Sequence, residues 1–121
     1  MLRRVPLKIV EFSGPAGQKL PDLHYSEALV LIAKAPQGGV AGDEIDLALG
    51  IEAAIETAVE GGADAVLLDE GQWAWLVERV RQNRWPFASP VFKTLIAELA
   101  AAEPVDPNRK PAAPSAKLAA E

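Results

Sequence analysis

An apolar run closed by two acids, Val66-Leu67-Leu68-Asp69-Glu70, has the form of the strand and carboxylate pair that holds magnesium in nucleotide-hydrolysing enzymes. That chemistry needs a phosphate-binding loop and its lysine upstream. The nearest outline is Ala28 to Glu44, an apolar run followed by a Gly-rich loop and a helix opening. Its glycines, Gly38, Gly39 and Gly42, do not fit G-x-G-x-x-G, and no Lys followed by Ser or Thr closes the loop. Asp43 and Glu44 also put negative charge where a phosphate would sit. Helix capping by Asp69 accounts for the same acids without chemistry. Asp43, Glu44, Asp46, Asp64, Asp69 and Glu70 offer the oxygen ligands that hard cations take, but they lack the alternate-position acids around a glycine of a calcium loop.

His24 is the only imidazole, with Ser26 two residues on. A base needs both a nucleophile and an orienting group, and the sequence indicates no third group. The chain has no cysteine, which excludes disulfides, thiolate zinc sites and cysteine nucleophiles. The expectation is a protein that is not an enzyme, with no catalytic residues, no cofactor and no metal.

Aromatic residues carry more information. Trp73, Trp75, Trp85, Phe87 and Phe92 put five of the seven aromatics within twenty positions. Trp73 falls on an apolar stripe, but Trp75 lies about 200° around the same helix, beside Arg79 and Gln82. Trp and Arg are enriched at interface hot spots, so Trp75, Arg79, Trp85 and Phe87 form a candidate partner-binding patch. The alternative is that Trp75 packs on its own chain, because a small domain needs large side chains to fill its core.

Charge is unevenly placed. Residues 41–70 carry nine acids and no base within a net charge of −5. Such a block argues against a nucleic-acid partner, since phosphate neutralisation by Lys and Arg supplies most of that affinity. It suits a basic partner surface or a solvated helix face. No apolar run approaches the roughly 18 residues of a membrane span, and Lys8 interrupts any signal-like region after Arg3 and Arg4. A soluble cytoplasmic protein is expected, with no membrane contact.

These residues must be positioned by a core built from about 100 of the 121 residues. Glu103 to Glu121 holds four prolines, five alanines and six charges, and reads as a flexible tail outside a single globular domain over 1–102. Leu7 to Phe12 reads as a strand ended by a turn over Ser13 to Gly17. Tyr25 to Lys34, bounded by Pro21 and Pro36 and containing β-branched residues, favours a strand pairing back on 7–12, although periodicity over so few residues leaves a short helix open. Asp43 is the expected N-cap of a helix with Ala48, Ile51, Ile55, Ala58 and Val59 on one face, closed by Gly61-Gly62. Ala65 to Leu68 is a strand or an extended link. Asp69 caps the next helix with Gln72 as its box partner, and Trp73, Leu76, Val77 and Val80 form the stripe. Ser89 and Pro90 open a third helix that turns Phe92, Leu95, Ile96 and Leu99 inward. The fold class is α+β, with three helices packed on a short N-terminal β-hairpin or small sheet and a disordered C-terminal tail.

The order of these elements resembles a group of small phage-encoded proteins. The residues that carry the likeness are Leu7-Lys8-Ile9-Val10-Glu11-Phe12, Gly42-Asp43-Glu44-Ile45 leading to Ile51-Glu52-Ala53-Ala54-Ile55-Glu56, Leu67 to Trp73 leading to Leu76 to Val80, and Trp85-Pro86 before Phe92 and Leu95-Ile96. They cover about residues 5–100 as helix openings and apolar positions. The group belongs to the late-gene head-tail and tail modules of phages and prophages. The resemblance implies a non-enzymatic accessory role in virion assembly, with a phage structural or assembly protein as partner, and it carries over no catalytic residue. The extra tryptophans and the Pro/Ala/Lys tail depart from the commoner pattern. The alternative function is an acidic regulatory or inhibitor module that binds a basic partner protein.

Overall fold

Residues 2–105 are described by the computed structural model. In chain order they form β1 (Leu2–Pro6), β2 (Ile9–Ser13), β3 (Lys19–His24), α1 (Tyr25–Lys34), α2 (Ile45–Glu60), β4 (Ala65–Asp69), α3 (Glu70–Gln82), α4 (Pro90–Ala100) and β5 (Glu103–Val105). The fold is α+β, with four helices rather than three. Residues 106–121, most of the expected tail, lie outside the described residues.

β1 is the middle strand of an antiparallel sheet of order β4-β1-β5. Its alternation turns Arg3 and Val5 to one face and Leu2, Arg4 and Pro6 to the other. Val5, Val66 and Leu68 point into the core beside Leu29, Ile51, Ile55, Leu76, Val80, Leu95 and Leu99. The strand expected over 7–12 is β2, which begins at Ile9, and β1 is a separate strand before it that the sequence reading did not place. Glu103–Val105, expected to start the tail, instead completes the sheet on β1.

β2 pairs with β3 rather than with 25–34. The register slips between Val10 and Phe12, opposite a stretch containing Pro21. Proline has no N–H for the ladder, so a bulge falls there naturally. The predicted turn forms: the Gly14 N–H donates to the Gln18 carbonyl at 2.7 Å, and Gly17 has φ +82, a left-handed conformation that glycine adopts without strain.

The segment 25–34 is helical, correcting the strand reading. Tyr25, Leu29, Ile32 and Ala33 are buried at helical spacings while Leu31 is exposed. β-branched Val30 and Ile32 favoured the strand, and burial of one helical face outweighs that weak propensity. The helix ends at Ala35, since a residue before proline is disfavoured in the helical region. α1 is tied to α2 by the Lys34–Glu52 ion pair at 3.0 Å, and the Glu52 carboxylate holds the Lys34 ammonium above its ordinary pKa.

Caps follow the sequence at α3 and α4 and not at α2. The Gln72 N–H donates to Asp69 Oδ1 at 2.7 Å, and the Asp69 N–H donates to Gln72 Oε1 at 3.0 Å, completing a capping box. Ser89 Oγ accepts from the Val91 N–H at 3.2 Å, with Pro90 at the first position. Asp43 caps nothing. It lies in a 3-10 turn, Gly42–Glu44, in which the Glu44 N–H donates to the Ala41 carbonyl, and Glu44 occupies the N-cap position without a side-chain bond. Asp69→Ala is expected to cost about 1–2 kcal/mol, whereas Asp43→Ala should change stability by less than about 0.5 kcal/mol. Urea unfolding of both variants checks the reassigned cap.

Candidate functional site

The four residues expected to share a binding patch fall into two pairs. Trp75 and Arg79 lie one turn apart on α3, with the Arg79 guanidinium carbon 5.6 Å from the centre of the Trp75 rings. Both are partly buried, and Trp75 packs against the core. Trp75 Nε1 and Arg79 Nε are out of contact with solvent and have no acceptor among the described residues. Each group can only donate, so this face of α3 holds adjacent unsatisfied donors.

Trp85 and Phe87 belong to a different assembly. Trp85 stacks on Phe92 at 4.4 Å between ring centres, and Phe87 stacks on Phe12 at 5.6 Å. Phe12 and Phe87 also meet Phe92 at a tilt, with ring centres 5.2 and 5.5 Å apart. Among the described residues no ring contact joins Trp75 to this cluster. Phe12, read only as part of a strand, is its fourth ring, brought there because the β2–β3 hairpin folds against the start of α4. The cluster seals the hairpin onto the helices and leaves an open cleft of about 630 Å³ against Pro90, Lys93 and Ile96.

Trp73 is satisfied where Trp75 is not. Its Nε1 donates to the Leu99 carbonyl at 2.8 Å, and the Arg3 guanidinium lies 4.1 Å above its ring. Arg3 also donates to Glu70 Oε1 at 2.6 Å and to the Ala102 carbonyl at 3.1 Å.

Three of the six acids that suggested chemistry have structural partners. Asp69 is a cap, Glu70 pairs with Arg3, and Asp64 pairs with Arg4 at 3.3 Å. Among the described residues no three His, Asp or Glu side chains gather as a metal site, and no helix is long and apolar enough to cross a membrane. Gly38 and Gly39 adopt φ +89 and +83 in the loop before α2. His24 and Ser26 share a cleft of about 510 Å³ between α1 and α2 with Glu27, Glu56 and Glu60 over Val30, Ile55 and Val59. No hydrogen bond joins His24 to Ser26 among the described residues.

One titratable cluster was not visible from the sequence. The buried Tyr25 hydroxyl donates to Glu98 Oε1 at 2.7 Å, and Lys8 pairs with the other carboxylate oxygen. Burial, then the bond to Glu98 and its charge, push the phenol above its ordinary value. Burial would raise Glu98, but the bonds from Lys8 and Tyr25 outweigh it and hold the carboxyl low. A phenol held protonated is the opposite of a catalytic base, and the cluster ties α1 to α4. Comparison with protein-family models, curated proteins and solved structures finds no match.

Replacing each tryptophan by phenylalanine separates their roles. Trp73→Phe strips the Leu99 carbonyl of its donor, while Trp75→Phe removes a donor that has no partner. The first should lose about 1 kcal/mol more than the second in urea unfolding. The tyrosine gives a pH signature. Unfolded chain ionises its phenol near pH 10, while native chain keeps the proton, so the Tyr25 contribution is full below that pH and fades above it. The stability gap between the native sequence and Tyr25→Phe should therefore narrow from pH 8 towards pH 11.

Proposed function

We propose that this chain is a protein-binding module without catalytic activity, acting in tail or head-tail assembly of a virion, with Trp75 and Arg79 at the centre of its contact face. The phage setting comes from the sequence resemblance. The observation that supports the face is the pair of desolvated donors on α3. A buried donor without an acceptor carries a penalty of about 1–3 kcal/mol, and a partner that draws these side chains outward onto a carboxylate or backbone carbonyl removes it. Tryptophan and arginine at the same spot also match the composition of interface hot spots.

A second reading is supported by the cleft between α1 and α2. Glu27, Glu56 and Glu60 rim an apolar floor and take part in no ion pair among the described residues. That arrangement suits an acidic regulatory or inhibitor module whose partner presents a basic surface.

One titration separates the readings. Purified products of the flanking genes, among them tail-tube or head-completion proteins, are measured against the native chain, Trp75→Ala, Arg79→Ala and a Glu56→Gln/Glu60→Gln variant at low and high salt. Binding that falls at least tenfold in the α3 variants and changes little with salt supports the α3 face. Binding that ignores those variants, collapses as salt rises and is lost in the Glu variant assigns the function to the cleft.

A further inference from the structure

β4 is an edge strand, and the hydrogen-bond pattern shows which of its backbone groups are free. In an antiparallel pair alternate residues turn both N–H and C=O toward the partner strand. The Leu7 N–H donates to the Asp64 carbonyl, and the Asp69 N–H is taken by the Gln72 side chain. Asp64, Val66 and Leu68 therefore face β1, while Ala65 and Leu67 turn their backbone groups to the open edge. No backbone hydrogen bond from Ala65 or Leu67 to another element is found among the described residues.

This edge lacks the usual protection. Natural edge strands are blunted by lysine, proline, bulges or covering loops, because a bare row of N–H and C=O groups recruits another strand. Ala65 to Leu68 carries no charge and no proline, its pairing with β1 is regular, and Leu67 is 46% exposed.

We propose that β4 pairs antiparallel with β4 of a second copy of this chain, joining two three-stranded sheets into one continuous sheet. The strand is self-complementary about Leu67. Centred there, Leu67 of each copy donates to and accepts from the other, and Ala65 of each copy lies opposite Asp69 of the other, whose N–H and carbonyl are already bonded within its own copy by Gln72 and the first turn of α3. The acid at position 69 lies opposite an alanine and not opposite its equivalent. Asp64 and Glu70, which approach across the ends of the pairing, are already matched to Arg4 and Arg3 within their own copies. The Leu67 side chains become cross-strand neighbours on the outer face of the joined sheet. This pairing uses neither Trp75 nor Arg79, so it stands or falls separately from the binding face on α3.

Absence of cysteine makes the test clean. Across a hydrogen-bonded antiparallel pair the Cα atoms lie about 5.5 Å apart, within the disulfide range of about 4.4–6.8 Å. Leu67→Cys, oxidised with copper phenanthroline at high protein concentration, should give mainly covalent dimer, and Ala53→Cys on the exposed side of α2 should stay monomeric. Light scattering of the native chain should show a concentration-dependent dimer. Leu67→Pro removes only the outward N–H, so it should keep the native circular dichroism and become monomeric. Should that variant fail to fold, Leu67→Lys, which puts like charges side by side, serves in its place. A native chain that is monomeric at millimolar concentration overturns the proposal, as does a dimer that survives in a folded position-67 variant or equal crosslinking at positions 53 and 67.

Discussion

A single arginine, turned inward from the middle strand of the sheet, holds the ends of the fold together. Arg3 lies on the Trp73 ring, pairs with Glu70 at the start of α3 and donates to the Ala102 carbonyl just past α4. The indole beneath it donates to Leu99. A guanidinium suits this position because its planar fork can stack on a ring and donate in several directions at once, which a lysine ammonium cannot do. With these contacts, β1 becomes the axis on which β4 and β5 pair, and the strand's inner face closes over the apolar sides of the helices.

What the sequence disclosed follows from which signals are local. The stripes of α2, α3 and α4 repeat over three or more turns, and the Asp69–Gln72 and Ser89–Pro90 caps are set by residues within one turn of each other, so all were legible. β1 was not, because its inward face is carried by Arg3 and Val5, and a charged residue that is half-buried through long-range partners looks like surface until those partners are in place. Helix α1 was misread because its apolar residues are nearly continuous over 28–33 and its period shows only in which of them are buried. Asp43 is a good cap by type, but the backbone enters α2 through a 3-10 turn that leaves it no N–H to accept from.

The candidate site shows the same division. That Trp75 and Arg79 are neighbours follows from helical spacing alone. Their unsatisfied donors do not, since satisfaction depends on everything packed around them. Trp85 and Phe87 lie close in sequence to α3, but Trp85 stacks on Phe92 and Phe87 on Phe12, some seventy positions earlier across a hairpin whose register no local pattern specifies. Aromatic surplus was thus two things at once: a seal between hairpin and helices, and one face on α3 left with donors to spare. Four of the nine acids in the central block, Glu52, Asp64, Asp69 and Glu70, serve as ion pairs or a cap, while Glu56 and Glu60 line the cleft between α1 and α2 with Glu27.

The pairing of β1 with β5 also has a consequence in time. Arg3 lies opposite Pro104 and donates to Ala102 ninety-nine residues away, and its other strand partner, β4, is more than sixty residues away. During synthesis β1 leaves the ribosome before either of its strand partners and waits for both, while the short-range helices form as they emerge. Contacts of such high sequence separation slow the final closure, and until β5 arrives one edge of β1 remains open to wrong partners. A cell that makes this protein must therefore carry a nascent chain whose sheet stays unclosed from the making of β1 until the making of β5.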